Sequence, residues 1–200
     1  MKALAKKLAR ALLGEYSVYY VYARAADDTV LASSATTPVF KMAQVDASTL
    51  YASHDALIRE QADYAGQEAH AYACFADDRI VGVCFYWFGR RYLQRNFWPL
   101  ADGEAKLVQI IALPDMRGRG VATQLIEWSW RDMMQQGFHK TYARIWHSNT
   151  PSLRAFERAG WARVALVLEI NPFKQGQPIR LRFGARPAGK FDRKLGRANL

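Results

Sequence analysis

Two glycines and two arginines stand together between an apolar run and an amphipathic stretch, in the segment Leu113-Pro-Asp-Met-Arg117-Gly118-Arg119-Gly120-Val121-Ala122. Glycine lets the backbone turn sharply and approach a ligand closely. The first turn of the helix that follows would present unpaired N–H groups and a partial positive charge. With Arg117 and Arg119, this turn could hold a di-anionic group such as pyrophosphate. An ordinary strand-to-helix turn with solvated arginines would give the same pattern.

Two better-known phosphate-binding motifs do not fit this segment. No Gly-Lys-Ser/Thr follows the glycines, which excludes a Walker loop. The third glycine of the dinucleotide-binding fingerprint is absent, and the preceding strand lies in the middle of the chain. The segment therefore needs a second motif to define its chemistry.

That second motif begins about thirty residues later, where a strand-like stretch ends in His147-Ser148-Asn149-Thr150-Pro151-Ser152. Arg117-x-x-Gly120-x-Ala122 is similar to the Arg/Gln-x-x-Gly-x-Gly/Ala signature of the GCN5-related N-acetyltransferases. Asn149-x-x-Ser152-x-x-x-Phe156-x-x-x-Gly160-Trp161 resembles their second signature. The two motifs occur in the family's order and spacing. The resemblance covers roughly residues 72–170.

The resemblance implies an α/β (α+β) fold of the GNAT type. Its central sheet is mixed and mostly antiparallel, contains two splayed parallel strands, and is flanked by helices. In this sequence the splayed strands would be Lys106–Leu113 and Lys140–Trp146. Acetyl-CoA would lie in the gap between them, and an N–H of the first splayed strand would polarise its thioester carbonyl.

The resemblance also implies which residues hold acetyl-CoA. Backbone groups of the first splayed strand would bind the pantetheine and the acetyl carbonyl, the turn amides would bind the pyrophosphate, and the second motif would reach the pantetheine arm and the sulfur. These residues are Ile110, Ile111, Ala112, Arg117, Gly118, Arg119, Gly120, Val121, Ala122, Thr123, Asn149 and Ser152. No metal is expected, since two cysteines, Cys74 and Cys84, are too few for a four-cysteine zinc site.

The acid–base residues depart from the family pattern. Lys106 and Arg144 occupy the two positions where many members carry a glutamate, and Phe156 occupies that of a tyrosine. Three replacements are candidates. Glu104 lies just before the first splayed strand, His147 could act as a base near pH 7, and Ser152 could donate a hydrogen bond to the sulfur. Each also has a plain structural role available, as a loop acid, a strand-end histidine and a helix cap.

The crossover before the first splayed strand mixes aromatic residues and arginines. In the family the acceptor approaches from this side, which makes Arg90, Arg91, Arg95 and Trp98 candidate acceptor-binding residues. They could equally form a solvated basic tip. We expect acetyl transfer to a primary amine of a small molecule, and an anionic acceptor such as an amino sugar derivative or an amino acid is one candidate. A protein or peptide amine, or a CoA-binding module with weak catalysis, are the alternatives.

The hydrophobic pattern predicts the elements that must position these residues. The predicted strands are Tyr16–Ala23, Val39–Gln44, Tyr72–Phe75, Ile80–Phe88, Lys106–Leu113, Lys140–Trp146, Trp161–Ile170 and Ile179–Phe183. The predicted helices are Asp46–Tyr64, Gly118–Gln136 and Pro151–Ala159. Asp77-Asp78-Arg79 is typical of a hairpin turn, and the segment from Gly89 to Gly103 is expected to be an irregular crossover.

The positive charge is concentrated at the two ends of the chain. Of the net charge of +10, residues 1–13 carry +4, residues 174–200 carry +7, and the acetyltransferase domain expected over 14–173 is nearly neutral. We expect a basic amphipathic helix over 1–13 and a partly mobile extension over 174–200. These ends could make weak contacts with an anionic membrane or another polyanion, whereas specific nucleic-acid binding is not expected.

The remaining expectations concern compartment and assembly. No apolar run approaches the roughly 20 residues needed to span a bilayer. Cys74 and Cys84 lie in strand-like sequence and are expected to be reduced core residues, which favours a cytoplasmic protein. A homodimer is one possible assembly.

Overall fold

The computed structural model describes residues 15–27, 40–94, 96–171 and 179–184. Within them eight strands form one sheet in the order β2-β3-β4-β5-β6-β1-β7-β8. The strands are β1 Glu15–Ala25, β2 Lys41–Val45, β3 Ala69–Ala76, β4 Arg79–Trp87, β5 Glu104–Ala112, β6 Lys140–Trp146, β7 Ala162–Asn171 and β8 Ile179–Gly184. The helices are α1 Ala47–Tyr51, α2 Ala56–Arg59, α3 Gly89–Leu93, α4 Val121–Gln135 and α5 Thr150–Arg158, with 3₁₀ turns at Ala62–Tyr64 and Pro114–Met116.

One pair of neighbouring strands in this sheet is parallel, β5 with β6, and all other pairs are antiparallel. The parallel pairing runs from Glu104 opposite Lys140 to Leu107 opposite Ala143 and stops there. Beyond that point β5 stays paired with β4 and β6 stays paired with β1, but not with each other. The predicted fold class is therefore confirmed, including the diverging parallel strands.

Helical segments cover both faces of the sheet. On the back face, Trp128 of α4 packs edge-to-face on Tyr72 with ring centroids 5.8 Å apart. On the front face, Tyr64 packs against Phe85 at 5.4 Å. Because partners across a strand pair share a face, Lys106 lies on the front face with its partners Trp87 and Tyr142.

The predicted strands and turns agree with the structure, and the predicted helix over 46–64 does not. Asp46 caps α1 by accepting a hydrogen bond from the Thr49 N–H at 2.8 Å. The helix ends at Tyr51, and Asp55 then takes an extended conformation, with its carboxylate 2.9 Å from Nε of Arg79. The chain then continues as the separate α2 and a 3₁₀ turn. The expected crossover begins with the short helix α3.

The two basic ends are only partly described. The predicted helix over 1–13 lies outside the described residues. Within the expected extension over 174–200, Ile179–Gly184 forms the predicted last strand and pairs with β7, so the sheet continues beyond residue 173. The other residues of this extension lie outside the described part.

The structure also bears on the cysteines and on membrane spans. Cys74 and Cys84 are buried, free thiols, as predicted. Among the described residues, no helix is long and apolar enough to cross a membrane.

Candidate active site

The divergence of β5 and β6 opens a gap between these strands beyond Leu107 and Ala143. A cavity of about 290 Å³ lies in this gap. Both strands, the start of α5 and one crossover residue line it: Phe97, Leu107, Val108, Gln109, Ile110, Ala143, Arg144, Ile145, Trp146, Asn149, Ser152 and Phe156. This volume is at the lower end of the range for small-molecule pockets.

The backbone of β5 turns alternate residues towards the gap. Leu113 donates its N–H to the Val81 carbonyl at 2.9 Å, on the β4 side. Since hydrogen-bond direction alternates along an antiparallel strand, Ile111 bonds to β4 in the same way. The N–H and C=O groups of Ile110 and Ala112 therefore point into the gap. Of the three β5 residues predicted to bind acetyl-CoA through their backbone, Ile111 is already engaged with β4.

The glycine turn leads into the uncapped start of α4. Gly118 and Gly120 have φ angles of 78° and 84°, in the left-handed region that favours glycine. Gly120 is the N-cap of α4 and supplies no side-chain cap, so the N–H groups at the start of α4 have no partner among the described residues. Within the turn itself, the N–H groups of Arg117 and Arg119 donate to the carbonyls of Pro114 and Met116 at 3.4 Å. A Cβ built on Gly118 would meet no atom within 4 Å. Open space therefore lies beside the predicted pyrophosphate site, with exposed Arg117 and Arg119 next to it.

The start of α4 is held close to the sheet by a third glycine. A Cβ on Gly82 would lie 2.7 Å from Cγ1 of Val121, so only a glycine in β4 lets α4 approach this far. This contact places the helix N-terminus beside the end of β5.

The second motif places two of its polar residues in the cavity wall. Asn149 caps α5, and its Oδ1 accepts a hydrogen bond from the Ser152 N–H at 3.3 Å. Phe156 is buried and lines the cavity below them. His147 is exposed, does not line the cavity, and has its Nδ1 3.1 Å from the Val18 carbonyl oxygen.

Glu104 lies at the paired end of β5, away from the cavity lining. Its carboxylate accepts hydrogen bonds from the Ala101 N–H at 2.8 Å and the Tyr142 hydroxyl at 3.1 Å. These bonds close the turn before β5, and the structure does not bring Glu104 together with Ser152. Glu104 thus has a structural role in this turn, and its catalytic role stays a prediction.

The predicted acceptor residues of the crossover also lie away from the cavity. Arg91 donates to the carbonyls of Asp63 at 2.7 Å and Gln67 at 3.2 Å, which fastens α3 to the preceding loop. Trp98 is buried with its ring 5.9 Å from Tyr142. Arg90 is exposed on α3, and Arg95 lies outside the described residues. Neither Arg90, Arg91 nor Trp98 lines the gap.

Three charged or aromatic side chains that the structure brings to the gap were not predicted from the sequence as site residues. Arg144, Trp146 and Phe97 line the gap. Alternation along β6 places Arg144 and Trp146 on one face, but which residues of that face open to the gap depends on where β5 and β6 diverge.

Behind Phe97, Lys106 is fully buried and its amine donates a hydrogen bond to the Tyr92 hydroxyl. Burial lowers the pKa of Lys106 well below its ordinary value, and the charge of Arg144 lowers it further.

The free amides at α4, the unpaired strand edges and the open space beside Gly118 fit a long ligand that carries amide and pyrophosphate groups. Among the described residues, no group of three or more His, Cys, Asp or Glu side chains could hold a metal ion.

Comparison with solved structures supports the fold. The chain resembles a GNAT-family structure from Novosphingobium aromaticivorans, with 15% identity, a TM-score of 0.51, and coverage of 78% of this chain and 64% of that one. A GNAT-family acetyltransferase from Colwellia psychrerythraea shows 13% identity and a TM-score of 0.55, over 82% of this chain and 60% of that one. A GCN5-related N-acetyltransferase-like protein from Streptococcus suis shows 12% identity and a TM-score of 0.51, over 82% and 65%.

The chain spans less than two thirds of the length of each of these structures. A comparison with the curated proteins gave no match. The model of the acetyltransferase (GNAT) family matches residues 38–161, more than half of the sequence, and the chain therefore belongs to the GNAT family.

Proposed function

We propose that this protein transfers an acetyl group from acetyl-CoA to the primary amine of a small molecule. The observation that carries the proposal is the divergence of β5 and β6 after Leu107 and Ala143, next to the start of α4, which no side chain caps. The cavity of about 290 Å³ lies where the thioester end of acetyl-CoA would meet the acceptor amine. The buried free thiols support a reducing compartment such as the cytoplasm.

Different residues of the chain would bind different parts of acetyl-CoA. Ile110 and Ala112 would offer backbone groups to the pantetheine arm and the acetyl carbonyl, Asn149 and Ser152 would contact the thioester end, and the amides of residues 117–123 would bind the pyrophosphate. When bound, acetyl-CoA would supply the activated acetyl group. The N–H groups on β5 would hold its carbonyl oxygen and stabilise negative charge there.

The composition of the cavity wall bears on which amine reacts. Among the described residues, no side chain with a carboxylate or an imidazole lines the cavity. An ammonium group must lose a proton before it can attack, which costs about 4.6 kcal/mol at pH 7 for an ordinary lysine amine but about 1.4 kcal/mol for an amine with a pKa near 8. The site therefore suits an amine of low pKa, with water carrying the proton away.

The proposed function predicts that acetyl-CoA binds the full chain in calorimetry and that a small amine stimulates thiol release. The amines to compare are amino sugars, amino acids, polyamines and lysine-containing peptides, between pH 7 and 9. Turnover of peptides alone would contradict the small-molecule acceptor, and binding without any thiol release would indicate a CoA-binding module. Absence of acetyl-CoA binding would contradict the proposal as a whole.

The placement of Glu104 predicts a structural and not a catalytic effect of its replacement. The carboxylate of Glu104 accepts hydrogen bonds from the Ala101 N–H and the Tyr142 hydroxyl. Glu104→Gln leaves one acceptor oxygen for these two donors. We expect a loss of about 1 to 3 kcal/mol in the free energy of unfolding, measured by urea denaturation, and a kcat within about threefold of the wild type. The exposed Glu60→Gln serves as control. A large loss of kcat at unchanged stability would restore Glu104 as the base.

A further inference from the structure

Arg144 is the first residue of β6 beyond the paired segment, and its side chain lines the gap. Three aromatic rings surround its guanidinium carbon, which lies 5.3 Å from the ring centroid of Tyr19, 5.0 Å from that of Phe97 and 5.3 Å from that of Trp146. Tyr19 and Phe97 are buried, whereas 44% of Trp146 is exposed. The rings restrict the guanidinium to one place while leaving the residue open to solvent on the gap side.

The hydrogen-bonding capacity of Arg144 is unused. Arg180, on the same face, pairs with Glu169 at 2.6 Å and donates to the Asn96 carbonyl at 2.9 Å. For Arg144, by contrast, no acceptor oxygen lies within hydrogen-bonding distance in the described part of the chain. A guanidinium carries five N–H donors in a planar fork that matches a carboxylate or a phosphate. Those donors are available at the gap.

The charges around this position add to its attraction for anions. Of the described side chains that line the cavity, Arg144 is the charged one. Arg144, Arg180 and Arg182 each lower the pKa of Lys106, after the larger effect of burial, which shows that their fields converge behind the gap. Glu169 is already paired with Arg180, so the front face at the gap is positive.

We infer that Arg144 binds an anionic group, a carboxylate or a phosphate, on the amine that accepts the acetyl group. This inference rests on the proposed function, because it concerns the acceptor of that reaction. Phe97 and Trp146 would flank the acceptor and shield the ion pair from water, which strengthens it. The role that the sequence assigned to Arg90, Arg91 and Arg95 thereby passes to a strand residue inside the gap.

The test compares amines that differ in charge but little in the pKa of the amine. One pair is glucosamine 6-phosphate with glucosamine, and the other is 6-aminohexanoate with 6-aminohexanamide. Steady-state thiol release is measured for the full-length wild type, Arg144→Gln and Arg144→Lys. We expect the wild type to prefer the anionic member of at least one pair, and Arg144→Gln to raise its KM about 10- to 100-fold. Arg144→Lys should fall between them, because lysine keeps the charge and loses the fork.

Two controls separate acceptor binding from general damage. Arg163→Gln removes an exposed arginine that also stacks on a tyrosine, 4.4 Å from the Tyr20 ring centroid, and should change no KM by more than about twofold. The KM for acetyl-CoA and that for the neutral amines should stay unchanged in Arg144→Gln.

The outcomes distinguish this inference from the proposed function. Preference for the phosphate pair alone, or for the carboxylate pair alone, identifies which anion Arg144 binds. Turnover without preference for an anion, or an equal loss for charged and neutral amines in Arg144→Gln, overturns the inference and leaves the acetyltransferase proposal intact. Failure of the wild type to bind acetyl-CoA and to release thiol with any amine overturns both.

Discussion

Replacing Gly118 with valine should weaken acetyl-CoA binding about 30-fold or more, equivalent to about 2 kcal/mol. Gly118 has a φ of 78°, and a Cβ there would meet no atom within 4 Å apart from its chain neighbours. A valine would therefore not disturb packing but would occupy the space from which a pyrophosphate reaches the turn amides. A β-branched residue also disfavours the left-handed backbone that points these amides at the ligand. Isothermal calorimetry with acetyl-CoA measures the effect.

A matched control exists at the other end of α4. Gly137 has a φ of 93° and, like Gly118, no atom within 4 Å of a built Cβ. Gly137→Val should therefore cost a similar amount of stability, about 1 to 2 kcal/mol for the strained backbone, and leave acetyl-CoA binding within about twofold of the wild type. Equal effects of the two variants on binding would mean that the glycine turn does not hold the ligand.

The parts of this fold that local pattern determines could be predicted from sequence. β6 matches its predicted bounds, Lys140–Trp146, and the β3–β4 hairpin turns at Asp77, whose φ of 53° is a turn conformation. Alternating and continuous apolar runs define such strands within a few residues. The prediction of one helix over 46–64 was wrong, since the backbone is extended at Asp55, whose carboxylate contacts Arg79, a residue distant in sequence.

The same distinction between local and long-range interactions applies to the residues of the candidate site. The glycine turn and the Asn149 cap depend on residues close in sequence, and both are placed at the gap or beside it. Glu104 and Trp98 were selected by type, but their environment depends on partners such as Tyr142, about forty residues away. Arg144 needs the divergence point of two strands to be known before its exposure to the gap can be recognised.

Replacing Lys106 with methionine should increase the free energy of unfolding at pH 7 by about 1 to 4 kcal/mol, by analogy with buried ion pairs, whose replacement by apolar groups gives gains in this range. Lys106 is fully buried, and burial lowers the pKa of its amine in the folded state. The Tyr92 hydroxyl would lose the Lys106 amine but keep its other partners. It donates to the Trp98 carbonyl at 2.7 Å and accepts from the N–H groups of Phe97 and Trp98.

The direction in which the free energy of unfolding changes with pH tests whether the gain in stability comes from removing the buried amine of Lys106. The relevant pH range lies between the lowered pKa of Lys106 in the folded state and its pKa of about 10.4 in the unfolded chain. In this range the unfolded state binds a proton that the folded state does not. The free energy of unfolding of the wild type therefore rises with pH. Methionine removes that contribution, and the advantage of Lys106→Met should shrink as the pH increases from 7 towards 10. Urea denaturation under reducing conditions measures both curves, with the half-buried Lys140→Met in the neighbouring strand as control. An advantage that stays constant with pH would mean that Lys106 is charged in the folded protein, and that its burial against Phe97 and Tyr92 holds a cation and not a neutral amine.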